Sequence, residues 1–249
     1  MSRQRIMSYK GLGMTVIFVA VLLAAELSHV ISANALILLL VLVPSIILHE
    51  VSHGAVASLF GDDTAKRAGR LTLNPFAHID PVGSILLPVL LIFAGLTPIG
   101  YAKPVPVDVS RLRSPRNQSV LVSLSGPAVN IILAVVAGLL LHFKLSHELS
   151  QAGGFSAAQI TIDPSLVDRI LFYLGAINLL LGVFNMIPIP PLDGSALIER
   201  VLPAGALPGY FRLRGVMLPV VLVLFLIFPG ALAKVFTPII DLWSRVFVP

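Results

Sequence analysis

"IILHEVSHGA", residues 46–55, puts two histidines and a glutamate inside a run of isoleucine, leucine and valine. The flanks are apolar too, with "ANALILLLVLVPS" before it and "VASLF" after it. A bilayer crossing needs about 20 such residues, and residues 35–59 supply them. An ionisable group inside a span costs at least a few kcal/mol unless it has a partner. Whatever partners His49, Glu50 and His53 therefore governs both the fold and the function.

The rest of the chain shares this character. Of 249 residues, 57% are hydrophobic and 12% are charged, whereas a soluble domain carries about 25% charge. Apolar segments at about 12–32, 35–59, 84–101, 118–143, 169–187 and 215–236 predict an all-α, polytopic membrane protein. Residues 1–249 read as a single domain, with residues 144–168 as its one sizeable polar loop. A few small or polar residues around Asn34 join the first two segments into a tight hairpin. The first segment is long, contains Glu26 and lacks a small-residue cleavage site, so it reads as a retained span and not a signal peptide.

Charge suggests an orientation. Arg3, Arg5 and Lys10 place the amino terminus in the cytoplasm, and Lys66, Arg67 and Arg70 bring the chain back there. Basic residues also follow the 84–101 segment, at Lys103, Arg111, Arg113 and Arg116. Basic flanks on both sides favour a segment that re-enters over one that spans. The net charge of +5 is explained by loops beside anionic lipid, without any nucleic acid. With no cysteine, thiolate chemistry is excluded, and a metal would have to use His, Asp or Glu.

On a helix, positions four apart share a face, so His49 and His53 can aim their imidazoles at one ion. Glu50 projects nearby without having to ligate. This H-E-x-x-H pattern suits Zn2+ held by two nitrogens, with the glutamate handling a proton of water. A catalytic zinc usually takes a third protein ligand. The candidate is Asp193 in "FNMIPIPPLDGSAL", residues 184–197, the only carboxylate between Asp168 and Glu199. Pro188, Pro190 and Pro191 interrupt the helix there and free the chain to bend toward the ion. Asp193 could instead cap the helix that follows it, and His78 is an alternative ligand.

Two further stretches, "GRLTLNPFAHIDPVG" (69–83) and "GYAKPVPVD" (100–108), combine alternation, β-branched residues and prolines. They predict a small β element after the HExxH helix. An edge strand of this kind, carrying Leu71 and Leu73, could take up the backbone of an unwound substrate by strand addition.

Three motifs in order, "HEVSH" (49–53), "SGPAVN" (125–130) and "NMIPIPPLDG" (185–194), resemble the site-2 proteases, zinc-dependent intramembrane metalloproteases. The resemblance implies one zinc per chain, ligated by His49, His53 and Asp193, with Glu50 as general acid and base. It points to Asn130 as an active-site polar group near the substrate carbonyl, although an asparagine there could equally glue helices together. Asn185 is expected to add a polar contact to substrate. The chain looks like a minimal membrane core without PDZ or CBS modules. The implied partners are the lipid bilayer and a membrane-protein substrate with a transmembrane helix, in the multi-pass setting of a prokaryotic cell membrane. The competing expectation is a metal-ion transporter using the same His and Asp cluster, although the chain shows no internal repeat of the kind many transporters carry.

Overall fold

The computed structural model describes residues 32–86, 101–151 and 164–249. Its helices are α1 (Ala33–Leu59), α2 (Thr64–Arg67), α3 (Pro115–Gln151), α4 (Leu166–Asn185), α5 (Ser195–Val201), α6 (Leu207–Ile227) and α7 (Pro229–Phe247). Short 3-10 turns lie at Pro75–Ala77, Val109–Arg111 and Ala204–Ala206, and a π turn at Pro81–Leu86.

Among the described residues, three helical stretches are long and apolar enough to cross a membrane: Leu36–Leu59, Pro115–Gln151 and Leu166–Asn185. They correspond to the segments expected at 35–59, 118–143 and 169–187. The chain is a membrane protein, and α1, α3 and α4 pack on one another as its centre. Leu121, Ile132, Val136, Leu140 and Phe143 of α3 are exposed, which carries no penalty where lipid is the solvent.

Local chemistry sets the helix limits. Pro115 opens α3 where a missing N–H costs nothing. Ser165 caps α4 in a reciprocal box with Asp168, each side chain accepting the other's main-chain N–H. Beyond Asn130, α7 docks through Trp243, which is buried and donates from its indole N–H to Ala134 O. Its ring lies where a Cβ on Gly175 of α4 would stand, 2.0 Å away, so only glycine admits it there.

Several expectations are corrected. The segment at 215–236 is two helices, α6 and α7, divided at Phe228; Pro229 disfavours a helical residue before it. The polar loop expected from 144 begins later, because α3 continues to Gln151. The predicted β element does not form: no strand occurs among the described residues. Pro104 and Pro106 remove ladder donors, and four other N–H groups of this segment bond outside any ladder. Tyr101 N donates to Gly83 O, Lys103 N to His78 O, Val105 N to Glu50 and Asp108 N to Asp62. Residues 70–74 run into the 3-10 turn, whose Phe76 N–H is capped by Asn74. The first apolar segment with its hairpin and the amino-terminal charges lie outside the described residues, as does most of the 84–101 segment.

Candidate metal centre

His49 lies within α1, about 15 Å of helix from its end at Leu59, and His53 follows one turn later. Both imidazoles are buried and point toward α3. Each is fixed through its Nδ1. His49 Nδ1–H donates to Asn130 Oδ1 at 2.5 Å, and His53 Nδ1–H to the Val122 carbonyl at 2.7 Å. Committing both Nδ1 atoms leaves both Nε2 atoms as free bases, the arrangement of ligating histidines held by oxygen partners.

Asp193 reaches these nitrogens from beyond α4. The helix ends at Asn185, and the chain through residues 186–193 is closed by a hydrogen bond from Gly194 N to Asn185 O at 2.7 Å. A Cβ on Gly194 would stand 2.2 Å from Met186 O, so this closure requires glycine. The closed segment presents Asp193 Oδ2 2.9 Å from His49 Nε2 and 3.4 Å from His53 Nε2.

The donors fit zinc. One ligand atom from each of His49, His53 and Asp193 lies within 4.8 Å of the others. Bonds of about 2.1 Å in a tetrahedron set neighbouring ligand atoms roughly 3.4 Å apart, close to the two spacings observed. The space in front of the imidazoles is kept by Gly126 of α3, where a Cβ would meet His53 Nε2 at 2.5 Å and His49 Nε2 at 2.6 Å.

A chain of buried polar groups stands behind His49. Asn130 Nδ2 donates to Asn178 Oδ1 at 2.7 Å, Asn178 Nδ2 donates to Ser45 Oγ at 2.8 Å, and Ser45 Oγ donates to Val41 O at 2.8 Å. Asn130 and Asn178 are both 0% exposed. The sequence expectation had Asn130 near a substrate carbonyl; in the structure both ends of its amide are engaged inside the protein, and its oxygen faces His49.

Glu50 is half-buried beside this group, and its Oε2 accepts from Val105 N at 2.8 Å. His78 is not among the clustered ligands; its Nε2 bonds to Thr72 O at 2.9 Å. Leu71 is half-buried against Gly54, whereas Leu73 is 64% exposed. Asn185 donates its Nδ2 to Leu181 O within its own helix.

Asn178, Ser45 and the Val122 carbonyl were not singled out from the sequence. A signal was present for Asn178: it is the lone amide in "FYLGAINLLLGVF", residues 172–184, and an amide in hydrocarbon requires a partner.

Comparison with known proteins agrees with this geometry. The profile of Peptidase family M50 matches residues 37–228. The chain belongs to this family, the site-2 proteases. It is 40% identical to "Putative zinc metalloprotease YwhC" of Bacillus subtilis over 168 residues, covering 68% of this chain and 70% of that one. Rip2 of Mycolicibacterium smegmatis, which carries the same designation, is 34% identical over 157 residues, or 62% of this chain and 53% of Rip2. The chain thus spans about half the length of Rip2. No solved structure matches. The transporter expectation finds no support among these relatives.

Proposed function

We propose that this M50 protein is an intramembrane zinc endopeptidase, hydrolysing peptide bonds within or near transmembrane segments of membrane proteins. The observation that carries the proposal is the convergence of His49, His53 and Asp193, from an apolar helix and a distant loop, on one ion-sized space with Glu50 alongside.

His49, His53 and Asp193 would hold one Zn2+ per chain. When bound, zinc supplies Lewis-acid chemistry that brings water within reach of deprotonation near neutral pH and draws charge from a carbonyl oxygen. Glu50 is the proton carrier. With Oε2 held by Val105 N–H, Oε1 is the atom left to take a proton from water and return it to the departing amine. Asn130 fixes the tautomer and angle of His49. The apolar surround excludes bulk water, which strengthens each of these interactions.

A helical substrate hides its peptide bonds, so several residues must unwind before attack. Leu73, which is exposed, is the better placed of the two leucines to meet such a chain, whereas Leu71 packs against Gly54 of α1. Asn185 lies on the Asp193 side and is assigned a substrate contact. The partners are a membrane protein with a transmembrane helix and the lipid bilayer, with no role for nucleic acid. The assigned location is a prokaryotic cell membrane, multi-pass, with a cytoplasmic amino terminus.

The test is purification in detergent, metal analysis and incubation with a panel of transmembrane-helix substrates. Glu50→Gln is expected to abolish cleavage and retain zinc. Cleavage by Glu50→Gln, or active material free of metal, would sink the proposal.

A further inference from the structure

Besides Leu71 and Leu73, the stretch "GRLTLNPFAHIDPVG" holds a buried arginine that the chemistry above does not use. Arg70 is 7% exposed, and no carboxylate of the described residues forms an ion pair with it. Its Nη2 donates instead to Lys103 O at 2.6 Å and to Pro104 O at 3.4 Å. Both carbonyls immediately precede Val105, whose N–H is the one bonded to Glu50.

The residues around Val105 narrow the interpretation. Pro104 and Pro106 have no N–H, so Val105 carries the single main-chain donor between Lys103 and Val107. Alternate N–H groups of an extended chain point the same way. Those of Tyr101, Lys103 and Val105 go in turn to Gly83 O, His78 O and Glu50 Oε2. The segment also seats on α1 itself, because a Cβ on Gly54 would stand 2.8 Å from Val105 Cγ1. Gly54 is one turn beyond Glu50, so a shift of residues 103–104 carries the Val105 amide off the carboxylate.

We propose that Arg70 is a positioning residue for Glu50, acting through the main chain of residues 103–105. The guanidinium Nη2 holds the Lys103 carbonyl, with the Pro104 carbonyl at the edge of its reach; this sets the Val105 N–H, and that N–H holds Oε2 so that Oε1 keeps one direction. A carboxylate with both oxygens loose samples rotations that are useless for proton transfer, and misplacement on the scale of 1 Å costs rate without disturbing binding. The inference rests on the proteolytic role proposed for Glu50.

The experiment uses the full chain in detergent, loaded with zinc, and a transmembrane-helix peptide cleaved in a Glu50-dependent manner. Arg70→Gln should lower kcat between about 10- and 100-fold, with KM and zinc content unchanged. Arg70→Lys, keeping the charge but falling short of the position Nη2 occupies, should fall between it and the native chain. Val105→Pro, which deletes the N–H, should match Arg70→Gln, while Val105→Ala should lose far less. The double variant Arg70→Gln with Val105→Pro should be no slower than the worse single change. Arg67→Gln is the control for losing a nearby surface charge.

Amide hydrogen exchange of peptides covering residues 101–108 gives a readout independent of turnover. It should quicken about five- to tenfold, the worth of one hydrogen bond, in both Arg70→Gln and Glu50→Ala, which removes the acceptor. Zinc lost together with activity, multiplying losses in the double variant, or unchanged exchange in Arg70→Gln would each overturn the proposal. If the native chain cleaves nothing, the proteolytic reading fails, while exchange still decides whether Arg70 holds the Val105 amide.

Discussion

Gly126 sits where any side chain would enter the metal centre. A methyl group there meets both ligand nitrogens at 2.5–2.6 Å, and neither imidazole can retreat, because each Nδ1 is already bonded. Gly126→Ala is therefore expected to empty the site, with metal analysis showing loss of zinc in a chain that still inserts and purifies. Asn178 makes a subtler case. Its oxygen obliges Asn130 to turn Nδ2 toward it and Oδ1 toward His49. Asn178→Leu releases that constraint and lets Asn130 flip, which favours a proton on the wrong histidine nitrogen. Chelator competition should show zinc affinity lowered by about 10- to 100-fold; unchanged affinity would mean that the relay only glues helices. At this scale His49, Glu50 and His53 were legible because their spacing alone puts chemistry on one helix face. Asp193 was legible as an isolated carboxylate among prolines. The partners behind His49 were hidden, since a single asparagine in an apolar run does not say which neighbour it will meet.

At the scale of elements, the segment 101–108 replaces the strand that alternation and β-branching suggested. Its sequence looks like an edge strand because it is extended, and it builds no ladder because prolines interrupt its donors while the side chains of Glu50 and Asp62 take two of the others. One of those side chains is Asp62, which is fully buried. Burial works against its charge, but hydrogen bonds from the Thr64 hydroxyl and from the N–H groups of Asp108 and Thr64 outweigh that, helped by the charge of Arg67. The carboxyl is thereby held below its usual range. A carboxylate with a depressed folded pKa adds stability that is present above its unfolded value, near 3.9, and is lost as pH falls through the folded one. Acidification from about pH 4 downward should therefore loosen residues 101–108, and Asp62→Asn should remove that pH dependence. Exchange measured across the segment at stepped pH checks this. The break at Phe228 was within reach of the sequence, since Phe228-Pro229 disfavours a continuous helix, but an unbroken apolar run concealed it.

For the whole molecule, an ion held by the three clustered donors would cross-link parts of the chain far apart in sequence: α1 supplies two donors and the loop after α4 supplies the third. A ligand that binds only the folded state raises stability by RT ln(1 + [L]/Kd), about 4 kcal/mol at a thousandfold excess over Kd. Stripping zinc with a chelator should accordingly lower the melting temperature, and re-addition should restore it. Asp193→Ala, which removes one anchor, should melt near the stripped native chain and respond little to added zinc. Equal melting of loaded and stripped protein would argue against a centre joining these elements.

The chain contains a single tryptophan, and it is the one wedged between α3 and α4, bonded to Ala134 one turn beyond Asn130 and packed at Gly175 one turn before Asn178. Its fluorescence therefore comes from one known joint, with no competing emitter of the same kind. A shift in emission on adding metal or substrate peptide would report that the disturbance had passed through the asparagine relay to the packing of α7, and would do so without any label being introduced.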